Sequence, residues 1–264
     1  MRYAILLSLA LAVVALSDSS VGAHYNMLLL ERDSIRRGEM VTLLYQWGHP
    51  FEQQLFDAPA PETVFVVAPD GKTADLTKRM EKVVVVTTNA RRVTAYRLQF
   101  KAEERGDYVF VLKSAPIWMP EEQVFFQDSV KVVLHVQAQK GWDAIAEVPF
   151  QLMPLTRPYG LQPGMVFQAE IHPLAAPRPD RLVEIERYNP EPPAQLPPDE
   201  QITRTVKTDP NGVVTCTLPE AGWWCLTAQS EGGQREHEGK PYPVRQRATF
   251  WVFVDKAPFP NTGK

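Results

Sequence analysis

The chain is poor in the residues that would place it quickly in a function class. It has only two cysteines in 264 residues, so it is not a disulfide-stapled scaffold. Its 28 basic and 31 acidic residues leave a net charge of -3 with no basic patch, which removes the case for a nucleic-acid partner. Beyond the first 16 residues no apolar run is long enough to span a bilayer. No amphipathic stretch is long enough to demand a major helix. Histidine is scarce too, at five, so a high-capacity metal store is excluded and each imidazole can be weighed singly.

What is present begins with the leader. Met1-Arg2 is a short positive start, Tyr3 to Leu16 is apolar, and Ser17 to Ala23 is small and polar, ending in Val21-Gly22-Ala23. That pattern predicts a signal peptide over residues 1–23 and an exported protein, periplasmic or secreted, with no membrane span after cleavage. The alternative is an uncleaved N-terminal anchor. A cut after Ala23 makes His24 the mature N-terminus; a cut a few residues earlier does not.

The rest reads as all-β. The segments Tyr25 to Leu30, Met40 to Gln46, Thr63 to Ala68, Val83 to Thr88, Val93 to Lys101, Asp107 to Lys113 and Ser129 to Gln137 are mostly β-branched or aromatic. Arg37-Gly38-Glu39, Pro69-Asp70-Gly71 and Arg105-Gly106-Asp107 separate them with turn chemistry. About seven strands in roughly a hundred residues match an immunoglobulin-like sandwich over residues 24–150. The proline-rich connector Leu152 to Gly164 leads into a second unit, residues 151–264. Its strands are expected at Met165 to His172, Arg181 to Tyr188, Ile202 to Thr208, Gly212 to Leu218, Trp223 to Gln229 and Gln246 to Val254. Tyr188 to Glu200 and Ser230 to Pro243 read as long exposed loops. The fold class is therefore two tandem immunoglobulin-like or transthyretin-like β-sandwiches. Export permits a Cys216–Cys225 bridge, but alternation argues against one, since Cys225 is out of phase with Trp224, Leu226 and Ala228.

Among the histidines, His135 is placed by alternation on a solvent face with Lys131 and Gln137, and His172 reads as a surface residue at a strand end. His49 is different. In "WGHPFE" Gly48 frees the backbone, Pro50 fixes φ at the position after the imidazole, and Trp47 and Phe51 can wall the ring from water. The strands that begin at Tyr25 and Met40 belong to one sandwich, which brings His24 and His49 into reach of each other. Glu52 and Asp57 lie in the same loop as carboxylate ligands or as partners that orient an imidazole. His237, flanked by Glu236 and Glu238, is a further ligand candidate from the second unit.

The α-amine and Nδ1 of one N-terminal histidine close a chelate ring, and a second imidazole completes a three-nitrogen set suited to Cu(II) or Ni(II). Binding of such a set releases protons and weakens in acid.

"GHPFE", "PDGKTADL", "PLTRPYGLQPG" and "TDPNGVVTCTLPEAGWW" occur in that order after a leader ending in Ala-His. As an ordered set they resemble the exported bacterial family filed as domain of unknown function 4198, over nearly the whole mature chain. Some members are associated with nickel or cobalt uptake systems. The final stretch also resembles the carboxypeptidase-regulatory or transthyretin-like sandwich. The resemblance implies a transition metal ion (Ni, Co or Cu) as cofactor, a membrane uptake complex as partner, and His24 and His49 as the matching ligands.

Two other functions fit the same sequence. One is a metal-free module binding carbohydrate or protein; the other is a copper oxidative enzyme with an N-terminal histidine brace. A hydrolase is disfavoured: Ser34 and Ser129 have no nucleophile motif, and neither cysteine does. The expectation is a non-enzymatic metal-binding protein.

Overall fold

Short β-branched and aromatic runs extend and pair because each buries at least one face. A computed structural model describes residues 24–172 and 181–256; the expected signal peptide, residues 1–23, lies outside them. The first eleven strands are β1 (Tyr25–Leu30), β2 (Ser34–Ile35), β3 (Met40–His49), β4 (Gln54–Phe56), β5 (Pro61–Val67), β6 (Thr73–Asp75), β7 (Glu81–Val86), β8 (Arg92–Lys101), β9 (Gly106–Ser114), β10 (Ile117–Met119) and β11 (Val124–Val136). There follow β12 (Gln151–Pro154), β13 (Val166–His172), β14 (Leu182–Arg187), β15 (Arg204–Lys207), β16 (Val213–Thr217), β17 (Gly222–His237) and β18 (Lys240–Val254). A 3-10 turn, Thr77–Arg79, precedes β7, and a short helical turn, Asp199–Ile202, precedes β15. The protein is all-β, and its strands stack as sheets in the manner of an immunoglobulin-like sandwich.

The sheets form three layers. A first sheet runs β1-β3-β8-β7 with β4 on β3, and a third runs β12-β13-β16. Between them lies a long sheet ordered β15-β14-β17-β18-β11-β9-β5-β6. One face of this long sheet (Val64, Phe110, Val132, Leu134, Trp251) packs on Leu28, Leu43, Tyr45 and Leu98 of the first sheet. Its other face (Val111, Val133, Leu226, Phe250) packs on Leu152, Phe167, Ile171 and Val214 of the third. Each such fully buried side chain contributes about 1.5–3 kcal/mol.

The two units delimited in the sequence share the long sheet. β11 pairs with β18 in parallel, from Phe125 opposite Val244 to Val132 opposite Trp251. Seven of the eight residues from Val130 to His135 and their neighbours Ser129 and Val136 are buried for this reason: β11 is covered on both faces.

That double cover corrects the expectation for Lys131 and His135. Lys131 is 1% exposed, and its ammonium group donates to Gln151 Oε1 at 3.0 Å. His135 is half-buried and bonded to Asp107. A polar residue alternating with valines marks a solvent face only when that face has no third layer above it.

The expected loop from Ser230 to Pro243 is instead the outer half of the β17–β18 hairpin. Its turn is Glu238-Gly239, both with positive φ (50° and 75°), which matches the twist of the flanking strands. This half is polar on both faces, which masked its strand character. Lys240 to Arg247 therefore lie in β18, and Arg247 is 1% exposed. Tyr188 to Glu200 is mostly exposed and carries no strand, as its prolines require. The cysteines do not pair. Cys216 lies in the core under the third sheet and Cys225 in the core under the first, on opposite sides of the long sheet, and both thiols are free and buried.

Candidate metal centre

The β1–β3 register sets the site. Tyr25 stands opposite Gly48 and Asn26 opposite Trp47, so the antiparallel ladder, continued by one residue, places His24 opposite His49. Their ring centroids are 4.5 Å apart. Trp47 stacks on His24 at 4.9 Å, and Phe56 on β4 contacts His24 at 5.1 Å and His49 at 5.8 Å. Trp47 was legible in the sequence as a wall of the site; Phe56 was not, because β4 is only three residues long.

Gly48 is required where it stands. Its φ is +147°, and a Cβ there would lie 2.1 Å from the carbonyl oxygen of Gln54. The close approach lets β4 fold back on β3 and carries His49 over Phe56.

Both imidazoles are anchored from the second unit. The His24 carbonyl accepts a 2.7 Å hydrogen bond from Nη2 of Arg247. Arg247 in turn forms a two-pronged buried pair with Asp128, both contacts 2.7 Å, and Asp128 also accepts from Asn26. On the other side, the turn after His49 is held at three points: Glu186 accepts from the Phe51 amide, and Asn189 donates its amide N–H to the Pro50 carbonyl and its side chain to the Phe51 carbonyl. The pair therefore sits where the two units meet.

Burial sets the charge state. The His24 pKa falls to about 4, first through desolvation, then through the neighbouring His49 and Arg247. His49 is lowered by burial, against an opposing pull from Glu52. Both rings are neutral at pH 7 and have nitrogen lone pairs available. Among the described residues the Nδ1 of His24 is buried without a hydrogen-bond partner, and Nδ1 is the atom that would chelate together with the α-nitrogen of the same residue.

The remaining sequence candidates fall differently. Glu52 lies beside His49 with its Oε2 buried and unpartnered. Asp57 is exposed, with its carboxylate committed to the Thr94 amide at 2.7 Å. His237 packs on Trp118, Phe125 and Tyr242. Trp118 and Phe125 alternate with Met119, Val124 and Phe126, which face Trp47, so His237 occupies the opposite face of the β10–β11 hairpin. Among the described residues no set of three or more His, Cys, Asp and Glu converges as a metal site; a third donor would have to come from the main chain. Glu121, whose charge reaches His24 from the β10–β11 turn, was missed in the sequence.

Among the described residues no helix is long and apolar enough to cross a membrane. No curated protein matches the chain. Among solved structures it is similar to a DUF4785 family protein from Legionella pneumophila, at 9% identity and a TM-score of 0.27, covering 80% of this chain and 53% of that one. It thus spans about half the length of that protein. Titin A168–169 is similar at 12% identity and a TM-score of 0.22, covering 85% and 98%. The two tandem V-type regions of VCBP3, a v-region-containing chitin binding protein, are similar at 11% identity and a TM-score of 0.23, covering 86% and 99%. Likenesses this low carry no argument about function. The family model described as "Domain of unknown function (DUF4198)" matches residues 21–232, and the chain belongs to that family.

Proposed function

We propose that the mature protein is an exported, non-enzymatic transition-metal-binding protein that holds one Cu(II), Ni(II) or Co(II) ion and hands it to a membrane uptake system. Signal cleavage after Ala23 would free the α-amine of His24. That amine, the Nδ1 of His24 and the imidazole of His49 would make a three-nitrogen set, a donor type these ions favour. The observation that carries the reading is the buried, unpartnered Nδ1 of His24 beside a second neutral imidazole. A buried polar atom without a partner costs about 1–3 kcal/mol, a penalty that metal coordination would remove. Glu52, three residues after His49, would orient its ring once a metal is bound. Trp47 and Phe56 exclude water from the pair on their side.

Mass spectrometry of the exported protein should give His24 as the first residue. Calorimetric titration with each of the three ions should then show one ion per chain, with affinity at least about tenfold lower in His49→Ala and after acetylation of the α-amine. Equal binding by parent and His49→Ala, or a mature chain starting elsewhere, refutes the reading.

A further inference from the structure

Several sequence motifs are unused by the histidine pair, and they converge at the far end of β11. His135 stands there between Asp107 of β9 and Ser34 of β2 in the ladder. Its Nδ1 bonds Oδ1 of Asp107 at 2.7 Å. Asp107 is fully buried and takes two further donors on Oδ2, the Lys140 amide at 2.9 Å and the Tyr159 hydroxyl at 3.1 Å. Tyr159 also stacks on the His135 ring at 4.0 Å, and Arg157 lies over the Tyr159 ring at 5.1 Å. The imidazole is thus fixed in direction by a carboxylate and in plane by an aromatic ring.

Two of the quoted stretches and the Arg105-Gly106-Asp107 segment build this support. Arg157 and Tyr159 belong to "PLTRPYGLQPG". Gly106, the first residue of β9, has φ +131°, and a Cβ there would meet the Cβ of Pro69, from "PDGKTADL", at 2.4 Å. The close packing of Gly106 on Pro69 sets the start of β9 and so the position of Asp107.

His135 lines a cleft of about 520 Å³ together with Arg32, Ser34, Arg36, Glu39 and Gln137, and with Nδ1 on Asp107, Nε2 is the ring nitrogen left for it. Among the described residues no group bonds Nε2. Arg32 is paired with Glu39 at 3.3 Å. The Arg36 backbone N–H also bonds Glu39, while its guanidinium has no ion-pair partner among the described residues. Arg36 therefore presents an unpaired guanidinium on the same cleft as His135. Nδ1 and Asp107 Oδ1 share a proton across their 2.7 Å contact, and in the tautomer whose ring N–H sits on Nε2 that nitrogen is a donor toward the cleft. Ser34 shares the cleft, but its hydroxyl makes no bond to Nε2, so the arrangement lacks the contact that would activate a nucleophile.

We propose that this cleft binds a small oxyanion, a carboxylate or a phosphate, between Nε2 of His135 and the guanidinium of Arg36. The proposal is independent of the metal reading. Calorimetric titration of the mature protein with inorganic phosphate and with succinate, at fixed ionic strength, should give saturable binding of at least one, and which one binds identifies the head group. Arg36→Ala and His135→Gln should each weaken it at least about tenfold while taking up Cu(II) as the parent does. The ¹⁵N signals of the His135 ring in the unaltered protein should shift as the anion is added, a readout that does not depend on a variant folding. No saturable heat from either anion up to about 10 mM, binding unchanged in both folded variants, or unmoved ring signals would overturn it.

Discussion

His24 and His49 stand opposite each other at the end of the β1–β3 ladder, with ring centroids 4.5 Å apart. Their separation is a consequence of register. A slip of one residue would send one ring to the other face of the sheet and dissolve the pair.

Gly48→Ala tests that dependence. A Cβ 2.1 Å from the Gln54 carbonyl, at φ +147°, forces β3 and β4 apart. Chemical denaturation should show a loss of about 1–3 kcal/mol, and the metal affinity of the folded variant should fall with it. Gly71, also at positive φ but with open space around it, provides a control: Gly71→Ala should lower stability without changing metal affinity.

The buried Arg247–Asp128 pair should respond asymmetrically. Arg247→Met alone strands a charged Asp128, and the expected loss is about 3–5 kcal/mol in thermal or denaturant unfolding. Arg247→Met with Asp128→Leu should recover a large part of that loss. In both variants the His24 carbonyl loses its donor, so metal affinity should fall even where stability returns.

Glu186 predicts a pH dependence of stability. Burial raises its folded pKa from 4.5 to about 7. Between these values the folded state binds more protons than the unfolded, so Glu186 makes stability fall as pH rises from about 4.5 to 7. Glu186→Gln keeps an acceptor for the Phe51 amide and should flatten that part of the profile while raising stability at pH 8. An unchanged profile would show that Glu186 does not carry the slope.

Lys131 gives the opposite sign. Desolvation lowers its pKa from 10.5 to about 7, so the unfolded state binds more protons between those values and stability rises with pH across them. Lys131→Met fills the same space without a charge and should raise the melting temperature at pH 7, with a gain of at least about 1 kcal/mol. That gain should shrink toward pH 10.

Much of the strand content was legible because β-branched and aromatic runs broken by Gly, Pro and Asp leave few alternatives. The strands that were missed, β2, β4, β6, β10 and β12, have two to four residues each, too few for alternation to register. The outer half of β17–β18 was missed for a different reason: its residues are mostly polar, so it has no apolar alternation to read. The same rule misplaced Lys131 and His135, whose neighbours along β11 are apolar on both sides of the sheet.

The sequence by itself determined the β class, the free cysteines' opposite phases on their strands, and the two imidazoles worth pairing, because these rest on local periodicity and side-chain chemistry. Only the tertiary structure decided that β11 and β18 pair in parallel across both units, that Arg247 and Asn189 clamp the histidine pair from the second, and that Asp107, His135 and Tyr159 meet. Those are contacts between residues up to 223 positions apart. Their geometry follows from which sheet faces close on one another, and no local pattern encodes that.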